Sequence, residues 1–535
     1  MKSLFTTIVF CFCTIFLFAQ DTIYVPTEQP TIQAAIDEAS NGDLVLVDEG
    51  IYYENINFKG KAITVASKYL IDGNESHIPN TIIDGSQPSD SLIGSTVRFI
   101  MNEDTTSVLC GFTITGGTGS VQGGYGRLGG GIQIFYAGPI IRKNIIEFNL
   151  IRDAIRPVRG SAISIFVGNN RTAVIENNII RSNTTDGMSA AFGSTGTIFL
   201  WIQYLGTCII RNNIIIDNNI IGNYINLGGA IAAIGYNDPN NICYIQNNFI
   251  KGNHVDPGAN SSGGGIYAED IHFISTNNII TRNFAGRGGG IWYEDTSPTT
   301  PPYNSQIINN SIVGNTANYC GGVSTESESE IVNCIIWDNT TPQFYGTTAT
   351  INYSDIEESY TGVGNISLEP EFQDTIYYLL SNSSPCIDAG NPDPIYNDVE
   401  DPFNLGNPLW PAMGTLTNDM GHCGGPNSFW PNVIVNSIKE DEQNNVLPTE
   451  YSLFQNYPNP FNPSTRIKYQ VSSISFVSLV VFDILGNEIE TLVNEEKPAG
   501  TYELTWYAGN LPSGVYFYKI QAGDFIETKK MLLLR

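Results

Sequence analysis

One short phrase, Ile-x-Asn-Asn-x-Ile-x-x-Asn, recurs along this chain and constrains its fold more than any other feature. It occurs at residues 175–183, 210–218, 245–253, 275–283, 307–315 and 331–339, with a looser copy at 141–149. The last Asn is present in all copies: Asn149, Asn183, Asn218, Asn253, Asn283, Asn315 and Asn339. A phrase that returns every 24 to 35 residues indicates stacked structural units.

Each copy begins as a strand and then bends. Apolar Ile175 and Ile210 are each followed by a polar residue, which is the alternation of a strand with one buried face. Because Asn tolerates the left-handed backbone region, the Asn pair predicts a sharp bend. We expect the closing Asn to lie at the next corner, where amide side chains of successive units form a hydrogen-bonded ladder.

Glycine runs precede most copies, at residues 129–131, 228–229, 263–265, 288–290 and 321–322. Glycine allows a turn and a close approach of two backbones where units stack. A unit of this size cannot bury its own apolar face, so stacking at the strand spacing of ~4.8 Å predicts parallel sheets around an Ile-rich interior.

The repeats over residues 22–425 resemble the right-handed parallel β-helix of the pectin-lyase-like superfamily. The amphipathic residues 31–40 are similar to the helical cap that covers the first coil of such solenoids, and residues 366–425 are similar to their closing segment. The resemblance implies an all-β chain with a right-handed parallel β-helix solenoid over residues 21–425, followed by a linker at 426–447.

The last stretch of the chain has a different pattern. Residues 451–463 are rich in Asn and Pro, and alternating strands are predicted at 465–471, 475–483, 500–507 and 514–521. Residues 448–535 resemble the type A C-terminal sorting domain of the type IX secretion system, a small Ig-like β-sandwich. The resemblance implies that residues 448–535 bind the type IX secretion machinery and that the protein is secreted or displayed on the cell surface.

Residues 1–20 have the pattern of a signal peptide: Lys2, an apolar run over residues 4–18, and then Ala19. The run is short for a transmembrane helix, so Sec export is expected and no transmembrane segment is predicted. The formal net charge of −28 argues against nucleic acid as a partner, and against a polyanionic ligand unless calcium bridges the two.

Two acidic pairs, Glu269-Asp270 and Glu294-Asp295, follow the glycine-led strands of adjacent units by similar offsets. Stacking would make them a carboxylate patch that binds a cation or a sugar together with Trp292 and Tyr236, or a solvated strand end. An aromatic row follows the first strand of several units and would either stack on sugar rings or pack beneath loops. Its members are Tyr136, Phe166, Trp201, Tyr204, Tyr236, Tyr267, Trp292 and Tyr293.

The closing segment contains a loop rich in oxygen ligands and two cysteines. Its carboxylates could bind calcium, which is the only cofactor that the sequence suggests. The alternative is a polar capping loop without a metal ion. The candidate ligands are Asp393, Asp398, Glu400 and Asp401. Cys386 and Cys423 flank this segment and are a candidate disulfide in an oxidising compartment, while Cys208 and Cys243 are expected to stack, either free or bridged.

No catalytic constellation can be assigned from the sequence, so the catalytic residues are unknown. The four histidines are dispersed, and the segment from Arg152 to Arg159 departs from the Arg/Pro/Arg pattern of pectate lyases. The preferred hypothesis is a secreted or surface-displayed protein that binds polysaccharide or surface glycan, or mediates adhesion. The alternatives are a polysaccharide lyase or glycoside hydrolase, and a purely structural surface protein.

Overall fold

The computed structural model describes residues 21–533 except 189–192, 223–224, 237, 257–259, 297–302, 304, 429–450, 457–458, 460, 462–463, 473–474, 498–499, 509–510 and 524. The predicted signal peptide and most of the predicted linker lie outside these residues. The chain divides into two compact units, residues 1–430 and 431–535.

The first unit is a parallel β-solenoid of about 8 coils. The chain runs through sheets A, B, D and C in each complete coil. Sheet A contains Thr22–Val25, Leu44–Val47, Thr64–Ser67, Val108–Cys110, Ile140–Arg142, Thr172–Glu176, Thr207–Arg211, Ile242–Gln246, His272–Thr276, Ser305–Ile308, Ser329–Val332 and Thr350–Asn352. Sheet B contains Gly50–Tyr52, Thr81–Asp84, Thr113–Thr115, Ile145–Glu147, Ile179–Arg181, Ile214–Ile216, Phe249–Lys251, Ile279–Thr281, Ser311–Val313, Ile335–Trp337 and Asp355–Ile356.

Sheet C follows the glycine runs and carries the longest strands of the solenoid. Its strands are Ile56–Asn57, Val97–Phe99, Ile132–Phe135, Ile163–Val167, Ile198–Gln203, Ile231–Tyr236, Ile266–Glu269, Ile291–Glu294, Val323–Thr325 and Phe344–Tyr345. Alternate residues of these strands point into the solenoid, and the others point outward.

Sheet D has two strips, because the loops between the closing Asn and the glycine run contain strands of their own. The first strip consists of Leu150–Asp153, Thr184–Gly187, Asn219–Gly222, His254–Val255, Phe284–Arg287 and Thr316–Tyr319. The second consists of Asn260–Ser262, Ile225–Leu227, Ser194–Thr195, Val158–Arg159, Gly126–Leu128, Gly119–Gln122 and Ile93–Gly94. Phe284–Arg287 joins the strips, since it pairs with both.

The interior of the solenoid is an apolar column. The second Ile of each phrase pairs with its counterpart in the next coil, and none of these side chains is exposed: Ile146, Ile180, Ile215, Ile250, Ile280, Ile312 and Ile336. Burial of such a side chain contributes ~1.5–3 kcal/mol, so the column is the main source of stability.

The closing Asn residues form one ladder along the corner between sheets B and D. The backbone N–H and the side-chain Nδ2 of each Asn from Asn149 to Asn315 donate to Oδ1 of the next, at 2.9–3.2 Å. Asn339 ends the ladder on the Gln343 side chain.

The Asn pair turns the chain between sheets A and B. The first Asn of the pair has positive φ, as at Asn177 and Asn212, which is the predicted left-handed bend. The second Asn builds another ladder, in which Asn178 donates to Asn213 and Asn213 to Asn248. Both Asn ladders therefore lie inside the wall of the solenoid and set its register.

Separate segments cover the two ends of the solenoid. The predicted cap forms a helix at Ile32–Glu38, whose N-terminus is capped when the Thr31 side chain accepts a hydrogen bond from Ala34 N–H. Short helices at Tyr69–Asp72 and His77–Asn80 and a 3-10 helix at Pro394–Tyr396 complete the helical content of the described residues.

The closing segment returns along the bend between sheets A and B. Its backbone oxygens accept hydrogen bonds from first-Asn side chains: Asn309 donates to Asp419 and Gly421, and Asn277 donates to His422 and Gly424. The first Asn of the phrase thus has a second role in the last coils, which the repeat pattern did not predict.

The predicted disulfide between Cys386 and Cys423 is not formed. Both are buried thiols in one small apolar cluster, and the Cys386 thiol donates to Asp355 Oδ2 at 3.2 Å. Burial raises the pKa of both thiols. Cys208 and Cys243 are direct neighbours in sheet A, as expected, and both are free.

The second unit is a sandwich of two antiparallel sheets. One contains Ser452–Leu453, Ser464–Val471 and Gly500–Tyr507, and the other contains Glu488–Lys497, Ser475–Phe482, Gly514–Ala522 and Phe525–Leu533. Both sheets contribute to one core, for example Ile467 and Leu479. The sequence did not predict Glu488–Lys497, because its Glu-rich pattern is unusual for a strand; as an edge strand it tolerates these charges.

Candidate functional site

The outward face of sheet C carries a continuous ladder of aromatic rings. Phe135, Phe166 and Trp201 occupy the same register position in three successive coils, and Tyr236 follows in the next. Ring centroids are 5.3 Å apart from Phe135 to Phe166, 6.1 Å from Phe166 to Trp201, and 5.8 Å from Trp201 to Tyr236. We call these four residues the aromatic strip.

Exposure changes along the aromatic strip. Phe166 is fully buried, Trp201 is half-buried, and Tyr236 is 46% exposed. Tyr236 is the last ring of the strip, and one face of the ring contacts Trp201. Its 46% exposure leaves part of the ring accessible to solvent.

The predicted aromatic row separates into three groups in the structure. Tyr136, Trp201, Tyr204 and Tyr236 reach the surface, while Phe166, Tyr267 and Trp292 are covered by neighbouring side chains. Tyr293 points into the solenoid core, because it alternates with Trp292 along the strand. Only part of the row is therefore open to a ligand.

The second strip of sheet D packs over the buried part of this face. Leu128 and Leu227 contact the same apolar cluster as Phe166 and Phe199. The Arg159 guanidinium carbon lies 5.3 Å from the Phe199 ring centroid and 6.0 Å from that of Trp201. Burial lowers the pKa of Arg159 to about 10, so the side chain remains charged at neutral pH.

Two carboxylates continue this face beyond the aromatic strip. Glu269 and Glu294 are paired across adjacent strands, and the Tyr267 hydroxyl lies 2.8 Å from Glu269 Oε2 and 2.6 Å from Glu294 Oε1. A hydroxyl has one proton to donate, so it bridges two acceptors that repel each other. Burial raises the pKa of Glu269, and the neighbouring charges of Glu294 and Asp270 raise it further, against the hydrogen bond from Tyr267.

The remaining predicted carboxylates lie at the edge of the same two coils. Asp270 N–H donates to the Glu294 carbonyl at 3.0 Å, and the Asp270 carboxylate accepts hydrogen bonds from Thr296. Asp295 N–H donates to Ser327 Oγ. The structure therefore brings Glu269, Asp270, Glu294 and Asp295 onto one patch.

The residue before Tyr236 makes a close backbone contact with the next coil. Gly235 lies so near the next coil that a Cβ atom on it would meet Asp270 O at 2.1 Å. Trp292 is on the same face but is 3% exposed, and its Nε1 has no hydrogen-bond partner in the described part of the chain. Trp292 supports the patch from below and is not open for stacking.

Sequence reasoning missed Phe135 and Arg159. Phe135 alternates with buried Ile132 and Ile134, and this pattern alone places it on the outward face. No sequence pattern indicated that Arg159 contacts the aromatic rings, because its approach depends on the fold of a loop of variable length.

The four predicted calcium ligands do not meet at one point. Asp393, Asp398, Glu400 and Asp401 each accept a hydrogen bond from a backbone N–H, those of Ile395, Gly425, Gly406 and Phe403 respectively. Within the described ranges no group of three or more His, Cys, Asp or Glu side chains is arranged to hold a metal ion. These carboxylates stabilise the loops of the closing segment.

The second unit matches a known family. Residues 455–534 match the family described as a secretion system C-terminal sorting domain. This part of the chain is a type IX secretion sorting domain. The domain marks proteins that the type IX system exports to the cell surface or releases, and it implies contact with the secretion machinery.

No curated protein and no solved structure matches the chain. In the described residues, no helix is both long enough and apolar enough to cross a membrane.

Proposed function

We propose that the solenoid binds a glycan through the outward face of sheet C and acts as a binding or adhesion protein after export. The single observation that carries the proposal is the aromatic strip, which ends on the half-exposed ring of Tyr236. Sugars are bound by aromatic faces that cover their C–H surface and by polar groups that accept hydrogen bonds from their hydroxyls.

The dimensions of this face suit an extended ligand. Phe135 and Glu294 are five register steps apart, which at the strand spacing of ~4.8 Å is roughly 24 Å. A polymer that lies along the solenoid axis would contact the accessible rings of Trp201 and Tyr236 and the patch together, while Phe166 stays covered. Rigid β-strands support both, so little ordering free energy is lost on binding.

The proposal is tested by glycan-array binding of the full chain and of Tyr236→Ala. Removal of the exposed ring is expected to weaken binding to the selected glycan about tenfold, which corresponds to about 1.4 kcal/mol. Tyr24→Ala is the matched control, since Tyr24 is 44% exposed on sheet A, away from the strip. Equal binding by wild type and Tyr236→Ala would refute the assigned surface.

A polysaccharide hydrolase is the second function, and the bridged carboxylates Glu269 and Glu294 favour it. Two carboxylates with different environments suit general acid and base roles. The same glycan mixtures are therefore assayed for new reducing ends. If wild type cleaves a glycan and Glu294→Gln does not, hydrolysis replaces binding as the proposed function. If the glycans keep their length, hydrolysis of those glycans is excluded.

A further inference from the structure

An open cavity of about 510 Å³ lies at the other end of the aromatic strip, away from the carboxylate patch. Its lining consists of Ile100, Asn102, Gln122, Phe135, Tyr136 and Asn169. This volume is within the usual range of small-molecule sites, ~300–1,000 Å³. We call it the amide cavity, because three of its six lining residues carry side-chain amides.

These three amides differ from the other Asn side chains of the solenoid. Each ladder Asn, such as Asn213, makes side-chain hydrogen bonds to three acceptors. Asn102 and Asn169 are exposed and Gln122 is half-buried; all three line one cavity, and their side chains make no hydrogen bond to any described residue. Each offers an acceptor oxygen and a two-proton donor, which matches adjacent hydroxyls of a sugar ring.

The aromatic wall of the amide cavity is held in place by its own contacts. Tyr136 packs edge-on against Phe135, with ring centroids 4.7 Å apart. Its hydroxyl accepts a hydrogen bond from Gln203 Nε2 at 2.7 Å and lies 3.4 Å from the Tyr125 hydroxyl. Phe135 belongs to both the cavity and the aromatic strip, while Phe166, the next ring of the strip, is fully buried.

None of the lining residues carries a charge. Arg171 contacts one lining residue, since its Nη1 donates to the Tyr136 carbonyl at 3.4 Å. A uronate or sulfate group in the cavity would have no charged partner in its lining, while a net charge of −28 repels it. An uncharged polyol ring would satisfy the amides and pack on the rings.

We propose that the amide cavity is a subsite for an uncharged sugar unit. This inference rests on the proposed glycan-binding function and adds the ligand class: a neutral polysaccharide or oligosaccharide, not a polyuronate.

The test is calorimetric titration of the full chain with neutral oligosaccharides, such as glucan, xylan and mannan fragments, and with oligogalacturonate. The cavity variant is Gln122→Ala combined with Asn169→Gly, since glycine keeps the positive φ of 57° at Asn169. Asn170→Gly is the matched control, because Asn170 also has positive φ and does not line the cavity. Tyr236→Ala reports on the strip.

The inference predicts that a neutral oligosaccharide binds more tightly than oligogalacturonate. It predicts that the cavity variant weakens this binding about tenfold, while Asn170→Gly leaves it unchanged. If the cavity variant binds as tightly as wild type while Tyr236→Ala loses binding, the subsite is overturned and the proposed function stays intact. Tighter binding of oligogalacturonate would also overturn it, and no binding of any glycan would remove both.

Discussion

The two Asn ladders predict a large effect of a single buried amide. Asn213 is fully buried in the middle of the second ladder. Its Oδ1 accepts hydrogen bonds from the backbone and the side chain of Asn178, and its Nδ2 donates to Ile175 O, Arg211 O and Asn248 Oδ1. Asn213→Ala would remove all five. Asn248 Oδ1 would keep its bond from the Asn213 N–H, and Asn178 Nδ2 its bonds to two carbonyls, while the other partners would lose these bonds.

The magnitude follows from these five bonds. At about 1 kcal/mol net for each, with partial replacement by water or relaxation, Asn213→Ala is expected to lower the free energy of unfolding of the solenoid by about 3 to 5 kcal/mol. Asn212→Gly is the matched control. Asn212 Oδ1 has no hydrogen-bond partner among the residues that the structure describes, and glycine adopts its φ of 57° freely, so we expect a change within about 1 kcal/mol.

Urea unfolding followed by circular dichroism measures both variants, with the slope of the transition checked against wild type. Hydrogen exchange of the Asn178 amide adds a local measurement, because that N–H donates to Asn213 Oδ1. The reasoning is refuted if Asn213→Ala unfolds within 1 kcal/mol of wild type, or if Asn212→Gly costs as much.

Three further predictions concern pH, the carboxylate pair and export. Burial raises the pKa of Asp398 to about 8, so between about pH 4 and 8 the folded protein binds more protons there than the unfolded chain does. As pH rises through this window, the melting temperature of wild type should therefore fall relative to that of Asp398→Asn. A difference in melting temperature that stays constant with pH would contradict the burial argument. Tyr267→Phe removes the hydroxyl whose hydrogen bond lowers the pKa of Glu269. The pKa of the Glu269 carboxyl, followed by NMR, should therefore rise, and a fall would refute the bridge. Deletion of residues 448–535 should retain the protein in the periplasm, as fractionation would reveal, whereas normal secretion would refute export through the sorting domain.

The sequence predicted the solenoid well because its determinants are local and repeated. Each phrase carries the strand, the left-handed bend and the inward Ile within nine residues, and stacking multiplies the same interactions. The amphipathic pattern at residues 31–40 was also sufficient to predict a helix, which spans Ile32–Glu38.

The candidate site was less predictable because it depends on loops whose lengths differ between coils. The acidic pairs come together because the glycine runs fix their register, which the sequence contains. The second strip of sheet D, which covers part of the aromatic face and brings Arg159 over the rings, is not part of the repeat. Trp292 and Tyr293 point in opposite directions because successive side chains alternate along a strand. The prediction of one aromatic row did not take this alternation into account.

The most direct test of the central claim is the equilibrium affinity of wild type and Tyr236→Ala for the glycan that the array selects, measured side by side with Tyr24→Ala. The aromatic strip predicts about tenfold weaker binding for Tyr236→Ala and wild-type affinity for Tyr24→Ala. Equal affinity for all three proteins would contradict the claim that this face of the solenoid binds glycan.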